Sequence, residues 1–148
     1  MKTIRTKTAL ITGGGSGMGR AVAQELCRSG IQVFVADVDL AAAGKTVQAA
    51  ESFTGQAEAH RVDVSDSSSV ESLFAGLKQR VESLDLLVHA AAILGQTVFI
   101  EQMEDQEWRQ MMTVNLDGAF YCCREAVRWM KPHKTGRIIL FSSVASLT

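Results

Sequence analysis

Residues 12–20 read TGGGSGMGR, and the residues on either side of them decide the fold. Thr8 to Thr12 is an apolar run of strand length, and a helical pattern starts directly after the glycines. A strand that breaks into glycines and then a helix exposes backbone N–H groups at the positive end of the helix dipole, where an anion can be held. Glycine serves there because a Cβ would keep the backbone away from the anion. Two phosphate-binding patterns fail. The strict G-x-G-x-x-G frame begun at Gly13, Gly14 or Gly15 meets Met18, Ser16 or Arg20, respectively, where a glycine is required. The frame from Gly14 to Gly19 continues with Arg20 and Ala21 rather than the Lys and Ser/Thr of a P-loop, and the GKT at Gly44, Lys45 and Thr46 has Asp39 in place of its first glycine. T-G-x-x-x-G-x-G does fit, from Thr12 and Gly13 through Gly17 to Gly19.

Outward from this loop, apolar runs alternate with helical patterns. Gln32 to Ala36, Ala59 to Val62, Leu84 to His89 and Arg137 to Phe141 are further candidate strands, which makes about five. Val70, Leu73, Phe74, Leu77 and Val81 line one face of a helix that Asp66 is placed to cap, while Gly30 and Gly55 follow helical stretches where a left-handed residue is needed. A long helix is expected from Asp105 to Lys131, with Trp108, Met111, Met112, Leu116, Ala119, Phe120, Cys123 and Val127 as its apolar stripe and Pro132 at its end. Strand and helix repeated without hairpin signals predict an α/β fold: a doubly wound, Rossmann-like parallel sheet with helices on both faces, in a single domain over residues 1–148. Ligands in such sheets bind beyond the carboxyl ends of the strands.

Composition narrows the partners. The 148 residues carry a net charge of −1, with 47% hydrophobic and 21% charged residues, which offers no electrostatic case for nucleic acid or a membrane surface. The N-terminus is too short in apolar residues for a secretory core or a membrane span, so a cytoplasmic protein is expected. Cys27, Cys122 and Cys123 have no paired spacing and read as reduced thiols; no metal-ligand spacing is present.

With the T-G-x-x-x-G-x-G loop in its strand-to-helix setting, the chain resembles the short-chain dehydrogenase/reductase family, and the likeness runs through most of its length. The resemblance implies that Gly13, Ser16, Gly17, Met18 and Gly19 hold the pyrophosphate of a dinucleotide. Asp37 stands eighteen residues after Gly19, at the end of VFVADVD, where an acidic side chain meets the ribose hydroxyls. A carboxylate there would repel a 2′-phosphate, and neither Val38 nor Ser16 offers a cation, so NAD is expected over NADP; the alternative is that Asp37 only caps a turn. Similarity further implies that Asp63 and the backbone of Val64 meet the adenine. Where the family carries N-N-A-G this chain has His89, Ala90, Ala91 and Ala92, small enough for a cofactor to approach, with His89 either beside it or a structural hydrogen bonder.

Asn115 lies in the apolar stripe, and a buried amide without partners costs about 1–3 kcal/mol, so it must be bonded or employed. Its segment MTVNLDGAF resembles the family segment whose asparagine perturbs the helix and helps to hold a water near the catalytic lysine. RIILFSSVAS resembles the fifth strand, which makes Ser143, before Val144, the catalytic serine, with Ser142 as runner-up. A hydrolase is disfavoured because no G-x-S-x-G surrounds either serine. The family's Tyr-x-x-x-Lys would fall beyond Thr148. Tyr121, the only tyrosine, is a poor substitute: ionising a phenol at pH 7 needs roughly 4 kcal/mol of stabilisation, and Glu125 stands where the lysine would be needed. A chain ending here would also leave its fifth strand as an apolar sheet edge. The expectation is therefore the N-terminal part of an oxidoreductase moving hydride between nicotinamide and a carbonyl or secondary alcohol, with a truncated binding module as the alternative. Homodimers or homotetramers, half-built by the long helix, are the implied assembly.

Overall fold

An apolar run without alternation belongs to a strand covered on both faces, and all five residues of β1 (Thr8–Thr12) are buried. In a computed structural model, which describes residues 7–143, β1 lies at the centre of a five-stranded sheet. Its neighbours are β2 (Gln32–Asp37) and β4 (Leu86–His89), with β3 (Ala57–Arg61) and β5 (Arg137–Leu140) at the edges. The order is β3-β2-β1-β4-β5 and every pairing is parallel. Leu10 faces Phe34 and Leu87 across the sheet, and Thr12 faces Ala36 and His89. The chain reverses its winding between β1 and β4, which opens a crevice at their carboxyl ends.

Alternate side chains feed two cores. Leu10, Phe34 and Leu87 pack with Val70, Phe74 and Leu77 of α3 (Ser67–Lys78) and with Cys122, Ala126 and Trp129 of α5 (Gly118–His133). Ile11, Val33, Val35 and Val88 pack with Ala23 and Cys27 of α1 (Gly17–Arg28) and Ala43 of α2 (Leu40–Gln48). Asp66 caps α3 by accepting the Ser68 N–H at 2.8 Å. Gly30 ends α1 at φ +79, and the Ile31 N–H returns to the Leu26 carbonyl at 3.1 Å. The three cysteines are free; Cys27 and Cys122 are buried, and burial pushes the Cys122 thiol up to about 12. Among the described residues, no helix is long and apolar enough to cross a membrane.

Three expectations are corrected. Gly55 does not adopt a left-handed backbone; it is glycine because a Cβ would collide with the carbonyls of Ile31 and Cys27. The long helix is not uniform: α4 (Asp105–Met112) runs into a π-helical turn at Thr113–Asp117 before α5, and α5 continues past Pro132 to His133. Its apolar stripe also does not face the sheet. Trp108 (49% exposed), Leu116, Phe120 and Val127 lie outward, while the sheet is met by Gly118, Cys122, Ala126, Trp129 and Met130. At one point that buried face is tight: a Cβ on Gly118 would lie 2.9 Å from Val64 Cγ2, so this contact needs a glycine. Gly118→Val should lower the unfolding free energy by about 1–3 kcal/mol through overpacking, read as a lower urea midpoint at unchanged slope.

Candidate dinucleotide site

The turn from β1 into α1 is built on contact between the ends of β1 and β4. Gly13 adopts φ +71, and a Cβ on it would lie 2.5 Å from the Ala91 nitrogen and 2.7 Å from the Ala90 carbonyl carbon. The Ala90 N–H donates to the Thr12 carbonyl at 2.9 Å, closing the junction. Gly17 opens α1 at φ +49, and Gly19 packs on the Gly13 carbonyl. Not every amide of the loop points outward. The Gly14 N–H donates to the Ala36 carbonyl at 3.1 Å and the Gly15 N–H to Asp37 Oδ2 at 2.8 Å. Ser16 caps α1 without a side-chain hydrogen bond, so the amides of Gly17, Met18 and Gly19 keep the unmet donors of a helix start. An anion at that end gains both these donors and the dipole of a twelve-residue helix.

In front of the loop lies a cleft of about 730 Å³, a volume in the range of small-molecule sites. Gly13 and Ser16 line it on one side, Asp37 and Val38 at the end of β2, Asp63 and Val64 after β3, and Ala90, Ala91 and Ala92 after β4. Gly17, Met18 and Gly19, the first turn of α1, follow Ser16 and are not among the residues that line the cleft. Asp37 has work within the fold: besides holding Gly15, its Oδ1 accepts the Asp39 N–H at 3.0 Å. Asp63 turns its Oδ1 onto Ser65, accepting from the N–H at 3.0 Å and the hydroxyl at 2.6 Å.

His89 is placed one layer back from the cleft. Its side chain is buried, with Nδ1 and the Thr12 hydroxyl 2.7 Å apart, while Nε2 has no hydrogen-bond partner among the described residues. Burial lowers its pKa from 6.5. The structure thus puts His89 in a structural hydrogen bond, outside the residues that line the cleft. Asn115 sits in the π turn and is bonded at both ends of its amide. Its Oδ1 accepts the Ile93 N–H at 2.8 Å and its Nδ2 donates to the Ile93 carbonyl at 2.9 Å. That clamp fastens the chain after β4 to the helix.

Ser142 and Ser143 follow β5 on the exposed side of the sheet end; Val144, the neighbour that singles out Ser143, lies outside the described residues. Tyr121 packs against the α3–α5 core with the Arg124 guanidinium 5.4 Å above its ring, and it does not line the cleft. Sequence reasoning missed one wall. Gln106, Arg109, Gln110 and Thr113, from α4 and the π turn, close the cleft with Val62, Ser65 and Ile93. The wall residues of α4 and the π turn are polar on a helix read for its apolar stripe, so no pattern marked them. No group of His, Cys, Asp or Glu able to hold a metal ion occurs among the described residues.

A parallel sheet with a glycine loop at its switch point, unmet helix amides and an acidic residue at the end of β2 is the doubly wound α/β architecture in which dinucleotide sites occur. The match to known proteins takes this further: the short chain dehydrogenase family covers residues 7–148, and the chain belongs to that family. It is 37% identical to a 3beta-hydroxysteroid dehydrogenase of Mediterraneibacter gnavus over 95% of this chain and 51% of that protein. It is 31% identical to a cyclohexanol dehydrogenase of Acinetobacter, over 95% of this chain and 56% of that protein. A short-chain type dehydrogenase/reductase from Mycobacterium ulcerans superposes with a TM-score of 0.91 at 26% identity, covering 95% of this chain and 52% of that one. The chain spans about half the length of the curated relatives it matches.

The His89 environment predicts a pH effect. Folded His89 binds a proton less readily than an unfolded histidine, so its contribution is intact above pH 6.5 and is lost as pH falls from there toward the depressed folded value. His60 is lowered by burial too, so the test is a difference: His89→Asn should lose less stability than wild type between pH 7 and pH 5 in urea titrations. Equal losses would mean that His89 is not the group titrating.

Proposed function

We propose that the protein is the nucleotide-binding half of an NAD-dependent oxidoreductase that moves hydride between nicotinamide and a ring-borne secondary alcohol or its ketone. The observation that carries the reading is the Asp37 carboxylate, which faces the cleft one hydrogen bond from the glycine loop. Each carboxylate oxygen has a second lone-pair site, so Asp37 can accept a ribose hydroxyl while keeping its backbone partners. A 2′-phosphate would bring a second negative charge against it, which favours NAD over NADP. Gly13, Ser16 and the amides of Gly17, Met18 and Gly19 fit the pyrophosphate, and Asp63 and Val64 fit the adenine end. The dinucleotide, when bound, supplies the hydride acceptor or donor.

The chain's own residues position and polarise. Ser143 would donate to the substrate oxygen, with Ser142 as its neighbour in reach, and Asn115 would hold the β4 junction and the π turn in register. Relatives named for a 3beta-hydroxysteroid and for cyclohexanol support a ring alcohol as the substrate class. The exposed flank of Trp108, Leu116, Phe120 and Val127 supports a homodimer or homotetramer along the long helix. A second reading, a dinucleotide-binding module without turnover, is favoured by the location of Tyr121, packed under Arg124 and away from the cleft.

Both readings are tested on NADH. Asp37→Ala should weaken NADH about tenfold or more, the value of a charge-assisted hydrogen bond, and should bring NADPH closer to NADH in affinity. An unchanged preference removes Asp37 as the selector. Turnover of a ring alcohol by the 148-residue chain would overturn the module reading.

A further inference from the structure

Thr46 belongs to the GKT tripeptide that fails as a phosphate loop, yet it is 1% exposed and its hydroxyl reaches the true one. From α2, Thr46 Oγ1 donates to the Gly14 carbonyl at 2.9 Å, with the Ala42 carbonyl of its own helix at 3.3 Å. From α1, Arg20 Nε donates to Thr46 Oγ1 at 3.2 Å, and a second nitrogen of the same guanidinium donates to the Gly15 carbonyl. Two helices thus hold two successive carbonyls of the glycine loop from behind.

The geometry of the trans peptide turns this into a statement about the cleft. In each planar unit the C=O and the following N–H point in opposite directions. The unit between Gly14 and Gly15 is held at both ends, its carbonyl by Thr46 and its N–H by Asp37. The unit between Gly15 and Ser16 has its carbonyl drawn back by Arg20, which directs the Ser16 N–H the other way, toward the cleft that Ser16 lines. A flipped unit would present a carbonyl oxygen to an anion instead of a donor. We propose that Thr46 and Arg20 are positioning residues for the dinucleotide. They lock the two peptide planes so that the Ser16 amide joins those of Gly17, Met18 and Gly19 at the pyrophosphate. The proposal rests on the cleft being a dinucleotide site.

The test separates phosphate from nucleoside. NADH and ADP-ribose carry the pyrophosphate and adenosine does not, so each is titrated against wild type, Thr46→Val, Thr46→Ser and Arg20→Gln, with adenosine read by competition. Thr46→Val keeps the shape and removes the hydroxyl, and Thr46→Ser returns it. NADH and ADP-ribose should bind Thr46→Val about tenfold more weakly, the loss of one well-placed hydrogen bond. Adenosine should be unchanged, and Thr46→Ser should recover most of the loss. Should Thr46→Val not fold, Arg20→Gln, at the rim of the network, should give the same phosphate-selective loss. Equal weakening of adenosine and NADH would reduce both residues to general supports of the fold and overturn the proposal, as would wild-type affinity in both variants. Wild type that binds none of the three ligands would refute the dinucleotide reading itself, a failure visible before any variant is compared.

Discussion

The hydrogen bond from the Gly15 N–H to the Asp37 carboxylate joins the end of β2 to the turn that follows β1. It consumes an amide that a bare glycine loop would offer to an anion, and so decides which amides remain. The other oxygen of Asp37 takes the Asp39 N–H, and Asp39 in turn caps α2 through the amides of Ala41 and Ala42. One carboxylate at the carboxyl edge of the sheet therefore shapes the loop and sets where α2 begins. A Cβ on Gly15 would meet Asp37 Oδ2 at 2.7 Å and Ala42 Cβ at 2.8 Å, so the bond exists only because that position is glycine.

A second constraint acts on the opposite face. The long helix comes close to Val64, just after β3, at Gly118, where a side chain would not fit. Trp108, Leu116, Phe120 and Val127 lie on a flank of that helix that solvent reaches, and Ile139 and Leu140 of β5 are half exposed at the sheet edge.

The inner strands β1, β2 and β4 were readable because buried parallel strands are short apolar runs; β1 matches its expected limits, and the other four strands differ by one or two residues. The glycine loop was readable because its glycines answer steric demands that other residues cannot meet. The flank of the long helix was misread because hydropathy records where apolar residues are, not which face lies nearest a neighbour. Gly55 was misread because a glycine required for space looks the same as one required for φ. Thr46 stood only in a phosphate-loop pattern that fails, and the polar cleft wall from Gln106 to Thr113 carried none. Their roles come from tertiary contacts between segments 20 or more residues apart, as Arg20 and Thr46 are.

The central place of β1 also has a kinetic side. Its partner on one side, β2, follows within a few tens of residues, but on the other side Ala9 pairs with Leu86. During synthesis at roughly 5–20 residues per second, that second partner arrives on the order of several seconds later. Until then the inner strand has one unsatisfied ladder, and no hairpin can shorten the wait. Nascent chains of this topology are thus obliged to shelter their earliest strand while most of the domain is still being made.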